Sequence, residues 1–125
     1  MSATTLSERL EGRFEELRQT GRKALVCYAT AGHPDPIACE KLLRGLESAG
    51  ADVIELGVPF SDPLADGPVV QASSQIGLGH GFSFDRTLEL VSSARLSVPV
   101  VLMTYLNPVL AAGSGALELA ARAGV

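Results

Sequence analysis

The sequence predicts an α/β fold on a parallel sheet, of the (β/α)8 TIM barrel class. Its 125 residues would form a single domain, the N-terminal part of such a barrel. Three observations carry this prediction. Short apolar runs of strand length alternate with stretches of helical periodicity along the whole chain. The connections are long enough to hold helices, which favours right-handed crossovers and therefore parallel strands. Finally, an initial helix is followed by three strand–helix units. The chain then ends on Ala-Gly-Val at 123–125, echoing the Ala-Gly-Ala at 49–51 where a helix gives way to a strand. A complete barrel takes ~250 residues, and an open sheet of three strands would leave its edges bare.

Each element has a local reason. Leu6, Leu10, Phe14 and Leu17 recur at helical spacing, so residues 7–20 are expected to be helical until Gly21 stops them. Residues 24–30 form an apolar run of strand length. Asp35-Pro36 then signals a helix start, with an N-cap acid followed by proline at the first helical position. Cys39, Leu42, Leu43 and Leu46 give that helix its apolar stripe, and Gly50 ends it. Residues 51–56 read as the second strand. A loop rich in glycine and proline runs from Gly57 to Pro68, where a short helix is expected to open. Gly77-Leu-Gly79-His80-Gly81 should break the chain again. Ser83 or Asp85 caps the next helix, which carries Phe84, Leu88 and Val91 on one face. Residues 98–104 form the third strand, Asn107-Pro108 a turn, and residues 114–123 a last helix ending at Gly124.

Composition excludes several function classes. Hydrophobic residues make up 46% of the chain, too many for a disordered segment. Ten Lys and Arg against fourteen Asp and Glu give a net charge of −4, which offers no attraction to nucleic acid or anionic lipid. The longest purely apolar stretch, Val98 to Met103, is far below the ~20 residues that cross a bilayer. The N-terminus lacks the apolar region of a secretory signal, so the cytoplasm is the expected compartment. Cys27 and Cys39 make neither a disulfide framework nor a metal cluster, and both are expected to be small buried hydrophobes. No His, Cys and Asp group has metal-ligand spacing, so no metal is expected.

Parallel α/β folds carry their chemistry at the C-terminal ends of the strands. Glu55 stands at such an end. Side chains alternate along a strand, so Ile54 and Leu56 take one face, suited to packing on helices, and Glu55 points into the barrel mouth. A carboxylate emerging from an apolar strand is costly unless paired or protonated. Eleven residues on, Asp66 sits in a loop stiffened by three prolines. Two carboxyls facing one ligand with different solvation can be driven to different protonation states. The same residues could equally cap a loop and a helix, and spacing alone leaves both readings open.

The run Glu55-Leu-Gly-Val-Pro-Phe-Ser-Asp-Pro-Leu-Ala-Asp-Gly-Pro68, followed by Gln71, closely resembles the signature of the tryptophan synthase alpha subunit family. Tyr-Ala-Thr-Ala-Gly-His-Pro at 28–34, Ala-Gly-Ala-Asp at 49–52 and Leu-Met-Thr-Tyr-Leu-Asn-Pro at 102–108 agree with it. The likeness extends over essentially the whole chain. It implies a (β/α)8 barrel that cleaves indole-3-glycerol phosphate to indole and glyceraldehyde 3-phosphate during tryptophan biosynthesis. Glu55 falls on the family's general acid/base and Asp66 on the acid that binds the indole N–H. Tyr28 takes a position where the family places an aromatic, commonly Phe, against the indole ring. Met103 matches an apolar pocket position, and Tyr105 a tyrosine close to the site. Without the resemblance, Tyr28 and Met103 read as ordinary barrel core.

The resemblance also implies an α2β2 heterotetramer with a beta subunit. Pro59, Phe60, Asp62, Asn107 and Pro108 match the loops that contact it, and an exposed Phe60 between prolines suits such a surface; the alternative is a rigid turn with Phe60 folded inward. No cofactor is implied for this chain, pyridoxal phosphate being expected only in the beta subunit. His33 stands where the family often has Asp, which puts that loop's partner contact in doubt, and His80 reads as a solvated turn residue. A stand-alone indole-releasing lyase or a non-catalytic module binding the beta subunit remain alternatives. A Schiff-base aldolase would need a lysine in the mouth, and Lys23 and Lys41 precede the first strand and ride on a helix. The Gly77–Gly81 run follows no strand and lacks the dinucleotide spacing.

In the family, the substrate phosphate is held by loops after the late strands, which these residues do not include. The 125-residue chain alone is therefore expected to release no useful indole from indole-3-glycerol phosphate and to be poorly ordered or aggregation-prone. An indole-release assay on the purified chain checks this, with ordinary turnover as the contrary result.

Overall fold

The computed structural model describes residues 4–125, and side chains from Glu8 onward. Helix α1 (Thr4–Gln19) leads into strand β1 (Val26–Thr30), helix α2 (Pro36–Ser48) and strand β2 (Val53–Gly57). Two helices follow, α3 (Pro68–Gly79) and α4 (Phe84–Ala94). Strand β3 (Val100–Met103) and helices α5 (Leu106–Ala112) and α6 (Ala116–Ala123) complete the chain. The three strands are parallel in the order β1-β2-β3, with β2 in the centre.

Alternation along β2 decides the sheet's two faces. Ile54 and Leu56 are fully buried, and together with Ala29 and Val100 they pack on Cys39 and Leu43 of α2 and on Leu90, Val91 and Ala94 of α4. The register pairs Tyr28 with Glu55 and Thr30 with Gly57 on one side, and Glu55 with Val101 and Gly57 with Met103 on the other. Those residues form the opposite face, where Val26, Tyr28 and Val101 are exposed. A second apolar cluster joins Phe84 and Leu88 of α4 to Ala116 and Ala120 of α6.

The local signals explain most element ends. Asp35 Oδ1 accepts the Ala38 N–H at 2.8 Å, capping α2 as its sequence predicts. Ser83, not Asp85, caps α4 by accepting the Arg86 N–H at 3.3 Å. Gly21 and Gly124 adopt the left-handed backbone that ends α1 and α6.

Several expectations need correction. Helix α1 begins earlier than residue 7, its Phe14 is exposed and Leu17 carries its burial; the side chain of Leu6 lies outside those described. Leu42 of α2 is likewise exposed. All three strands are shorter than their apolar runs, and Gly57 extends β2 by one residue. Helix α3 is not short. It runs through Gly77, where the helix backbone passes so close to the Ala31 carbonyl and Pro59 that a Cβ would overlap both. The break falls within the expected Gly77–Gly81 run, the helix ending at Gly79 and Gly81 taking a positive φ. Asn107-Pro108 is no turn but part of the first turn of α5, where proline's missing N–H costs nothing because that turn's donors have no helical acceptor. Cys39 is buried, whereas Cys27 is only half-buried.

At the N-terminal ends of the strands, Asp52 is buried and tied to three groups. Its carboxylate accepts the Leu25 N–H at 2.8 Å and the Arg13 guanidinium at 2.6 Å, with Arg22 at 3.7 Å. This fastens α1 beneath β1 and β2. The Leu25 N–H, and after it Arg13, holds the Asp52 carboxyl below the usual carboxylate range. A depressed folded-state pKa adds stability above the ordinary pKa of about 4, and that stability is lost as pH falls through the folded value. Asp52→Asn should therefore lower the thermal midpoint at pH 7 and flatten the loss of stability below about pH 4. Thermal melts at a series of pH values check both.

Candidate active site

At the C-terminal ends of β1, β2 and β3 a cavity of about 220 Å³ opens on the sheet face opposite α2 and α4. Tyr28, Gly57, Asp66, Met103 and Tyr105 are among its lining residues. Glu55 does not line it. On β2 it lies two residues before Gly57 on the same face, ~7 Å deeper along the strand. Tyr28, its partner in the register, leans the other way, over Gly57, where any Cβ would overlap the phenol oxygen. Glu55 and Asp66 thus belong to one region, with the ring of Tyr28 beside both.

Asp66 is held by its backbone. Its N–H donates to the Pro63 carbonyl at 3.1 Å, and the neighbouring Ala65 N–H donates to the Tyr105 hydroxyl at 2.9 Å. Gln71 of α3 reaches back to donate to the carbonyls of Asp66 at 2.8 Å and Pro63 at 3.3 Å. One turn is therefore clasped from β3's end by Tyr105 and from α3 by Gln71. This leaves the Asp66 carboxylate, on a half-buried residue, at the cavity wall.

Tyr28 is a titratable residue of the cavity wall. Burial pushes its phenol up from the ordinary value, and the charges of Asp66 and Glu55 add to that. It stays protonated at neutral pH. Met103 is half-buried, opposite Gly57 on β3. An apolar side chain, an aromatic ring and a fixed carboxylate around one small cavity suit a flat ligand that bears an N–H.

The residues expected to meet a partner divide. Asp62 and Asn107 are exposed, and Pro108 is half-buried. Phe60 is not exposed between its prolines. It folds against Tyr105, with ring centroids 5.1 Å apart, because that ring and the turn beneath offer apolar area that water does not. Pro59 is buried against Gly77. His33 is half-buried, and His80 is exposed with Nε2 3.0 Å from the Pro34 carbonyl.

Comparison with known proteins decides the family. The family model described as tryptophan synthase alpha chain matches residues 14–125. This chain belongs to the tryptophan synthase alpha chain family. Curated relatives named tryptophan synthase alpha chain include that of Citrifermentans bemidjiense, 52% identical over 94% of this chain, and that of Laribacter hongkongensis, 50% identical over 92%. Among solved structures, tryptophan synthase subunit alpha from Legionella pneumophila strain Paris superposes with a TM-score of 0.90 at 40% identity over 94% of the chain. An aminoacrylate-bound tryptophan synthase from M. tuberculosis gives 0.84 at 38% over 93%. The chain spans about half the length of the relatives it matches, 45% of the first two proteins, 46% of the Legionella chain and 47% of the M. tuberculosis chain. The three-stranded parallel sheet is accordingly part of a TIM barrel.

Sequence reasoning did not find Thr30, Ser73 or the clasp by Gln71. Thr30 was within reach, since it follows Tyr28 by two residues and so shares its face; Ser73 was not, since it meets β1 only through the fold. The alpha chain's Asp66 turn also makes a testable prediction. Tyr105→Phe keeps the ring on Phe60 but removes the acceptor of the Ala65 N–H. It should cost about 0.5–1.5 kcal/mol and speed amide exchange at Ala65, read by hydrogen exchange and denaturant melts.

Proposed function

We propose that this chain carries the acid–base pair of an indole-3-glycerol phosphate lyase, which releases indole and glyceraldehyde 3-phosphate. The observation that supports it is the placement of two carboxylates around one aromatic residue, Glu55 beside Tyr28 on the open sheet face and Asp66 on the wall of the cavity above. Cleaving the bond between indole C3 and its side chain requires a proton on C3. It also requires loss of a proton from the hydroxyl on the adjacent carbon, which becomes the aldehyde. Glu55 serves both transfers, so the proton taken from the hydroxyl balances the one added to the ring. Asp66, ionised, accepts the indole N–H and stabilises the positive charge that grows on the ring nitrogen. Met103 and Tyr28 line the space that the indole ring takes. These steps are proton transfers between Glu55 and the substrate, and we assign this chain no cofactor, leaving pyridoxal phosphate to a beta subunit.

The same reading gives the chain a beta-subunit partner in an α2β2 assembly. Asp62 and Asn107 are its contacts, since both are exposed, Asp62 on the loop that follows β2 and Asn107 in the first turn of α5 after β3, at the cavity's end of the sheet. Phe60 and Pro59 act behind them by setting the shape of the loop after β2, and Pro108 by standing in the first turn of α5.

The test is indole release by a complete alpha chain carrying this segment. Glu55→Gln should reduce turnover about 10²–10⁴-fold with little change in the affinity for indole. Unchanged turnover would remove Glu55 from the chemistry.

A further inference from the structure

Three hydroxyls stand in a line beside the cavity. The Tyr28 Oη lies 3.1 Å from Thr30 Oγ1, and Thr30 Oγ1 lies 2.7 Å from Ser73 Oγ on α3. Ser73 in turn donates to the Val70 carbonyl at 2.9 Å. A carbonyl can only accept, so placing the Ser73 proton on Val70 runs the chain in one direction. Ser73 gives its one proton to Val70, Thr30 gives its own to Ser73, and Tyr28 gives its own to Thr30. The phenol proton is thereby turned away from the ligand space, and the oxygen keeps its lone pairs. Each donated bond in such a chain also makes the donating oxygen a better acceptor. Thr30 is buried at 5% exposure, so it has little water to turn to, and Gly57 leaves the space that the phenol fills.

We propose that Tyr28 determines ring specificity: its oxygen accepts a hydrogen bond from a hydroxyl on the bound aromatic ring, with Thr30 and Ser73 as positioning residues that fix its polarity. The ligand class is a hydroxylated indole ring, held more tightly than indole itself. This rests on the reading that the cavity takes an indole. In that reading Asp66 already accepts the ring N–H as a charged partner, the stronger acceptor of the two. Tyr28 belongs to β1 and Asp66 to the loop after β2, so the phenol oxygen is left for a second donor on the ring.

The experiment is calorimetric titration of a complete alpha chain carrying this segment with indole and with the benzo-ring hydroxyindoles. At least one hydroxyindole should bind about 2- to 10-fold more tightly than indole, the ratio expected of one net hydrogen bond. Tyr28→Phe should abolish that ratio. Thr30→Val and Ser73→Ala should reduce it, and Thr30→Ser, which keeps the hydroxyl, should restore it. Thermal melts of each variant confirm the fold, and the ratio is a quantity that a loss of packing alone would not move. The proposal is overturned if no hydroxyindole surpasses indole, or if Tyr28→Phe keeps the preference. It is also overturned if Tyr28→Phe raises KM for indole-3-glycerol phosphate while sparing the ratio, which would move the contact to the glycerol chain. Failure of the indole reading looks different: the unaltered protein binds no indole, Asp66→Asn changes nothing, and both readings fall together.

Discussion

The burial of Ile54 and Leu56 is the constraint from which the rest follows. Both are completely enclosed between the sheet and the helices α2 and α4. Because a strand presents alternate residues to opposite faces, that burial obliges Glu55 and Gly57 to face the other way. A slip of one residue would put a carboxylate among Cys39, Leu43 and Val91, apolar surroundings that penalise its charge. The flanking strands inherit this choice through the register, which brings Tyr28 and Val101 alongside Glu55 and Met103 alongside Gly57. The site's composition is thus fixed by apolar packing on the far side of the sheet.

Helix α3 supplies what the sheet cannot. Its side chains reach strand β1 and two points of the loop after β2: Ser73 meets Thr30 of β1, Gln71 holds the carbonyl of Asp66, and Ser74 both accepts the Phe60 N–H at 2.9 Å and donates to the Phe60 carbonyl at 3.1 Å. Such closeness is possible because Gly77 lets the helix settle onto Ala31 and Pro59 without a side chain between them. The loop from Val58 to Gly67 owes its order as much to this polar face as to its prolines.

Much of this could be read in the residues. Periodicity identified Cys39 and Leu43 as core, alternation gave the facing of Glu55, and Asp35-Pro36 marked the start of α2, because each signal acts over a few neighbouring positions. What escaped depended on the assembled fold. Gly77 reads as a breaker unless the Ala31 carbonyl is known to press on it, and Asn107-Pro108 reads as a turn unless Tyr105 is known to begin a helix. Phe60 reads as exposed until Tyr105, 45 residues later in number, is seen against it. The partnership of Thr30 with Ser73 spans 43 residues and has no local signature. The Glu55 and Asp66 assignments came from family likeness, since their spacing admitted a structural explanation equally well.

The Asp52 anchor sits at the strands' opposite end from the cavity, five residues of β2 intervening, some ~17 Å of extended backbone. Adhesion of α1 and recognition of a ligand therefore draw on separate sets of side chains, too far apart for their mutational effects to be strongly coupled. Selection, natural or in the laboratory, can reshape Tyr28, Met103 or the Asp66 turn toward new ring substituents while the Asp52 contacts keep α1 fastened to the strands.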